Sequence, residues 1–213
     1  MKNSNDVKVM LKEAGILFAI TLIAGLVLGF VYELTKEPIR VQEELAIQKA
    51  CREVFPNAEA LEIQFEELNY TPAGELSAQL AENGVTIGTV YKAVSKEGKE
   101  QGHVVEAISS QGYGGNIDLY IGVTMDGTVS GVSILSISET PGLGMKAESV
   151  LIPQLTGVQT DAFSYTKIKD ASNPDNVIDA ISGATITTRA VTNAVNGGLK
   201  AACELREGGA ANE

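Results

Sequence analysis

Asp179-Ala180-Ile181-Ser182-Gly183-Ala184-Thr185 runs straight into a helical pattern near the C-terminus. Ser182 to Thr185 are all small or slim, so the chain is narrow here, and Thr187 and Thr188 follow as the helix begins. The first N–H groups of a helix have no partner within it and carry partial positive charge. An anion such as a phosphate can therefore sit at this junction. Thr185 offers a hydroxyl through which a phosphate can also be joined covalently. Ser or Thr ahead of a helix is equally an ordinary cap, so the surroundings must decide what the loop is for.

The helix that follows is expected over residues 187–205. Val191, Ala194, Val195, Leu199, Ala202 and Cys203 give it one apolar face. Gly197-Gly198 weakens it or admits a close neighbour. Upstream, residues 87–94, 103–108, 117–123 and 128–137 are short runs rich in β-branched residues. Asp126-Gly127 is a hairpin turn between the last two, and the polar stretch 95–100 is a loop between the first two. A helix is expected over 145–151, ending near Pro153, and one more strand within 163–168. The fold class that results is α+β: a mainly antiparallel sheet flanked by helices. No internal repeat is evident.

Residues 14–32 contain no charge and are rich in Leu, Ile, Val, Phe and Gly. At about 1.5 Å per residue they span the hydrocarbon core of a bilayer. A cleaved signal peptide has a shorter apolar core and a small-x-small site, whereas Tyr32-Glu33-Leu34-Thr35-Lys36 follows here. The expected organisation is a polar cytoplasmic tail at 1–13, a single transmembrane helix at 14–34, a helical stalk at 35–60 opening near Pro38, an α+β domain at 61–206 and a frayed tail at 207–213. Lys2, Lys8 and Lys12 before the span, against Lys36 and Arg40 after it, favour a cytoplasmic N-terminus.

A net charge of −11 over 213 residues argues against a nucleic-acid surface. Two cysteines and the single His103 cannot supply the four thiolates of an ordinary iron–sulfur cluster. Any redox chemistry needs an organic cofactor. Cys51 and Cys203 leave a disulfide and two free thiols both open. No Gly-x-Gly-x-x-Gly opens a strand-to-helix unit, so NAD is not expected to bind. One histidine and no Gly-x-Ser-x-Gly leave no hydrolase triad.

The segment 179–185 resembles the flavinylation motif, Asp-x-x-Ser/Thr-Gly-Ala-Thr, of the FMN-binding domains in the Rnf-type ion-translocating electron transport complex and the Na+-translocating NADH:quinone reductase. Gly112-Tyr113-Gly114-Gly115-Asn116-Ile117 and Glu139-Thr140-Pro141-Gly142-Leu143-Gly144 are similar to further signatures of that family. The resemblance implies that Thr185 carries FMN through a phosphoester bond, with Ser182, Gly183 and Ala184 in the motif around it. It implies that Asp179 belongs to the sequence read by a Mg2+-using flavin transferase that takes FMN from FAD. Tyr113, Gly114, Thr140, Gly142, Leu143, Gly144 and Lys146 become candidate walls of the cofactor site. Leu143 and the aliphatic part of Lys146 are expected on the isoalloxazine face, and Tyr113 either stacks there or fills core. No catalytic or metal-ligating set is implied.

The chain is short, with a compact stretch between span and sheet. That favours the G subunit of the Rnf-type complex over the C subunit of the quinone reductase. The implied function is a covalent-FMN electron carrier in a membrane-bound, ion-translocating ferredoxin:NAD+ oxidoreductase, not itself catalytic toward NAD or ferredoxin. Its partners would be the membrane and cluster-carrying subunits of that complex. The flavin domain would lie outside the cytoplasmic membrane. The alternatives are the quinone reductase's C subunit, or an anchored assembly protein without redox function.

Overall fold

Residues 85–137 alternate or run apolar because the sheet they form is covered on both faces. The structure is a computed structural model that describes residues 4–55, 58, 61–168, 170 and 172–210. Residues 1–3 and 211–213 of the expected tails, and 56, 57, 59 and 60 of the expected stalk, lie outside the described residues. The chain divides into two units, residues 1–46 and 47–213.

The first unit is the leading part of helix α1, Ser4–Val54. It is the one helix among the described residues that is long and apolar enough to cross a membrane. Its apolar side chains, Leu17, Phe18, Ile23, Leu26, Leu28 and Phe30 among them, are exposed. One expectation is corrected here: no new helix starts at Pro38, because α1 runs through it, and the helix already includes the polar residues from Ser4 onward. Proline lacks the N–H that would bond the Leu34 carbonyl and its ring crowds that carbonyl, which weakens or kinks a helix without having to end it.

The second unit holds a five-stranded antiparallel meander in the order β1 (Gln64–Leu68), β2 (Val85–Val94), β3 (Glu100–Ser109), β4 (Ile117–Thr124) and β5 (Val129–Ile137). Helix α2, Gly74–Glu82, lies between β1 and β2 in sequence. On β4 the side chains alternate between two apolar layers. Ile117, Leu119, Ile121 and Val123 face the layer that includes Val191, Ala194 and Val195 of the C-terminal helix, Thr185–Ala210. Tyr120 faces the other, with Ala50, Cys51, Val54 and Phe55 from the end of α1 and the residue after it. Packing of that segment begins at Ile47, whereas Val41 and Leu45 are exposed. The approach is tight: Ser130 Oγ donates to the Val54 carbonyl at 2.5 Å, and a Cβ on Gly122 would sit 2.5 Å from the same oxygen.

The helix expected over 145–151 is three short pieces: a 3-10 turn at Gly144–Lys146, α3 at Ala147–Val150 and α4 at Ile152–Leu155. The expected strand within 163–168 is β6, Ser164–Thr166, which pairs in parallel with β7, Val177–Asp179. The C-terminal helix, α5, crosses β2, β3 and β4 and begins two residues before its expected start. It continues through Gly197-Gly198, where added Cβ atoms would run into Leu80 Cδ2 and Ile121 Cδ1. The double glycine thus lets the helix lie against its neighbours' side chains. The residues read as frayed are helical as far as Ala210. Cys51 and Cys203 are both free thiols. Burial pushes the Cys51 thiol up to about 12, which makes it an inert core group.

Candidate functional site

The loop 181–184 is a hydrogen-bonded turn: the Ala184 N–H donates to the Ile181 carbonyl at 3.0 Å. Gly183, at its third position, has φ +79°, the signature of a type II turn. Residues 140–143 repeat the device. The Leu143 N–H donates to the Thr140 carbonyl at 3.1 Å, Pro141 sits second, and Gly142 has φ +79°. The two turns meet, since a Cβ on Gly183 would lie 3.2 Å from Leu143 Cδ2. Thr188 locks the first turn onto α5. Its Oγ1 donates to the Ala184 carbonyl at 3.0 Å and accepts from the Ile181 N–H at 3.1 Å.

Between the turns and the start of α5 lies a cleft of about 470 Å3, within the size range of small-molecule sites. Of the residues expected at the site, Tyr113, Thr140, Leu143, Gly144, Gly183, Ala184 and Thr185 line it. Gly114, Gly142, Asp179, Ser182 and Lys146 are not part of its lining. Gly142 shapes the second turn, and Asp179 sits on β7, where its N–H donates to Gln154 Oε1 at 2.8 Å. Lys146 is exposed at the end of the 3-10 turn. Tyr113 is 71% exposed, so it is not a core residue.

Three lining residues were not among the expected walls of the site: Glu139, Ile186 and Thr187. Glu139 is only 7% exposed. Its Oε1 accepts from the Tyr113 and Gly114 N–H groups at 2.7 and 3.2 Å, and its Oε2 accepts from Thr187 Oγ1 at 2.9 Å. One carboxylate thus binds the loop after β3, the loop after β5 and the first turn of α5. A buried carboxylate needs such partners. The signal in the sequence was a lone Glu at the head of the glycine-rich stretch 139–144.

The segment 182–188 carries four hydroxyls, and their surroundings differ. Thr187 is 1% exposed and donates to Glu139. Thr188 is fully buried with both its hydrogen-bond roles filled. Ser182 is exposed but outside the cleft. Thr185 lines the cleft, is half-buried, and its hydroxyl makes no hydrogen bond among the described residues. The N–H groups of residues 185–187 have no acceptor among the described residues either; the first N–H used in the helix is that of Thr188, to the Ala184 carbonyl. An anion on Thr185 would find donors waiting. Leu143 and Ile186, 41% and 42% exposed, with Tyr113 offer apolar surface to a flat ring. The cleft therefore fits a group with an anionic end and a planar apolar end.

Such a cleft on a meander-and-helix domain, in a chain with one apolar helix of membrane-spanning length among its described residues, has the form of a cofactor-binding protein. Residues 112–200 match the family model of the FMN-binding domain, and residues 1–54 match that of the RnfG N-terminal region. The chain is 32% identical over 195 residues to the G subunit of the Na+-translocating ferredoxin:NAD+ oxidoreductase complex of Acetobacterium woodii, covering 90% of each chain. It is 35% identical over 192 residues to the G subunit of the proton-translocating ferredoxin:NAD+ oxidoreductase complex of Clostridium ljungdahlii, covering 86% of this chain and 90% of that one. Its fold is similar to the crystal structure of the C subunit of Na+-translocating NADH-quinone reductase from Parabacteroides distasonis, with TM-score 0.52 and 20% identity over 79% of this chain and 95% of that one. That last likeness concerns the fold alone. The chain belongs to the family of G subunits of ion-translocating oxidoreductase complexes.

Proposed function

We propose that this protein is the covalent-FMN electron carrier of a membrane-bound, ion-translocating ferredoxin:NAD+ oxidoreductase complex, with the FMN phosphate esterified to Thr185 Oγ1. The observation that carries the reading is the hydroxyl of Thr185. Of the four hydroxyls between Ser182 and Thr188, it is the one that both lines the cleft and makes no hydrogen bond among the described residues, and it stands at the start of α5 beside free N–H groups. Relatives that are G subunits and match most of the chain support the choice of complex over the quinone reductase.

When bound, FMN supplies a ring that takes up and releases electrons. The chain supplies everything else. N–H groups at residues 185–187 stabilise the phosphodiester charge. Leu143, Ile186 and Tyr113 present apolar surface to the ring, and the turns at 140–143 and 181–184 keep it placed. Asp179, Ser182, Gly183 and Ala184 form the segment that a flavin transferase reads during maturation. In that transfer the Thr185 Oγ–phosphorus bond forms, the pyrophosphate bond of FAD breaks, AMP leaves, and the hydroxyl proton passes to solvent. No electron moves. A covalent tether keeps the flavin from dissociating where free FMN is scarce.

Residues 14–34 serve as the membrane span, 35–60 as the stalk and 61–206 as the FMN-binding domain. The N-terminus is cytoplasmic, the domain lies outside, and electrons pass to and from the other membrane and cluster-carrying subunits. Protein co-expressed with a flavin transferase should be yellow and give a fluorescent band in a denaturing gel, and Thr185→Val should be colourless. A fluorescent Thr185→Val band would overturn the assignment.

A further inference from the structure

Glu139 is the only charged side chain among the described residues that line the cleft. Its role in tying three segments together does not require a charge. A glutamine could accept from the Tyr113 and Gly114 N–H groups through Oε1 and donate to Thr187 Oγ1 through Nε2. A buried carboxylate costs more to desolvate than an amide making the same contacts. Lys146, the nearest basic residue along that loop, is outside the lining and exposed. No cation among the described residues of the cleft wall offsets the negative charge.

Gly144 shows how closely the carboxylate is held. A Cβ there would lie 2.6 Å from Glu139 Oε2 and 2.7 Å from Thr187 Oγ1. The charge is therefore fixed in place, in a site where water screens it little. A fixed negative charge beside a group that gains electrons disfavours the reduced form. We infer that Glu139 is a positioning residue with a second role: its charge in the cleft wall lowers the reduction potential of the flavin held there. The inference rests on FMN occupying the cleft as proposed above.

The test is a spectroscopic redox titration of full-length, flavin-loaded protein in detergent. The couple read takes two electrons from dithionite and one or two protons from the buffer, and no bond to the protein changes. Glu139→Gln keeps the contacts and removes the charge. At the wild-type midpoint its reduced-to-oxidised ratio should rise at least tenfold, which for a two-electron couple is about 30 mV upward. Glu139→Asp keeps the charge and should change that ratio less than threefold. Glu148→Gln removes an exposed carboxylate on α3 and should leave the midpoint where it was. A Glu139→Gln midpoint equal to wild type overturns the inference. So does an equal upward shift in Glu139→Asp and Glu139→Gln, which would mark a purely structural effect. Wild-type protein that never becomes yellow would instead refute the proposed function, so the two failures are separable.

Discussion

Thr188→Val isolates the contact that holds the Asp179–Thr185 loop against α5. The side chain is fully buried, and valine matches its shape. The substitution removes the acceptor of the Ile181 N–H and the second donor to the Ala184 carbonyl. That carbonyl keeps the Thr188 N–H at 3.0 Å, so one group is orphaned rather than two. An unsatisfied buried N–H costs about 1–3 kcal/mol. For a unit the size of residues 47–213, that is a fall in Tm of about 2–12 °C. Thr192→Val is the control within the same helix. Its Oγ1 donates only to the Thr188 carbonyl one turn back, which is a dispensable bond, so its Tm should change far less. The assay is thermal unfolding of each variant beside flavin incorporation by a transferase. Thr188→Val should melt lower and incorporate less flavin, because the turn that presents Thr185 opens more readily. A variant that melts and loads like wild type would refute the reasoning that Thr188 holds the loop. A colourless Thr188→Val beside a yellow Thr185→Val would move the ester to Thr188.

Gly183→Ala places a Cβ on a residue at φ +79° and 3.2 Å from Leu143 Cδ2. It should cost about 1–2 kcal/mol and reduce flavin loading; undiminished loading and Tm would contradict the type II turn. His103 is held below the usual histidine range by burial first, with Lys92 and Arg206 adding to the effect and Glu100 opposing it. The unfolded chain then binds a proton that the folded one does not, so stability should fall as pH drops below about 6.5. In denaturant titrations between about pH 7.5 and 5.5, a window that brackets the unfolded value, His103→Gln should show a shallower decline; identical slopes would contradict this. Alkaline carbonate should leave the full-length protein with the membranes, and release into the supernatant would refute the anchor.

Much of the fold was legible because the informative strands pack on two sides. β2 to β5 bury enough β-branched side chains to stand out, and Asp126-Gly127 marks their last turn, with Gly127 at φ +87°. β1, Gln-Phe-Glu-Glu-Leu, did not stand out: it is a sheet edge whose exposed residues are Gln64, Glu66 and Glu67. α2 has nine residues and only Leu76 and Leu80 buried, too few positions to establish a period. β7 is three residues long and exists through its pairing with β6. The continuous α1 was missed because proline is read as a boundary, although an exposed helix can carry one. At the site, the loop and both glycine-rich turns were visible as motifs. Glu139 was hidden in one of them, since its three partners lie 26, 25 and 48 residues away in sequence. Lys146 lies outside the cleft lining, at the end of a 3-10 turn where a single helix was expected.

The central claim is that one hydroxyl bears the flavin. Mature protein expressed in its own cell, digested and mapped by mass spectrometry, tests it directly. The peptide containing Thr185 should be heavier by one FMN less one water, with fragment ions assigning the addition to that residue. The same peptide unmodified throughout, or modified at Ser182, Thr187 or Thr188, would contradict it.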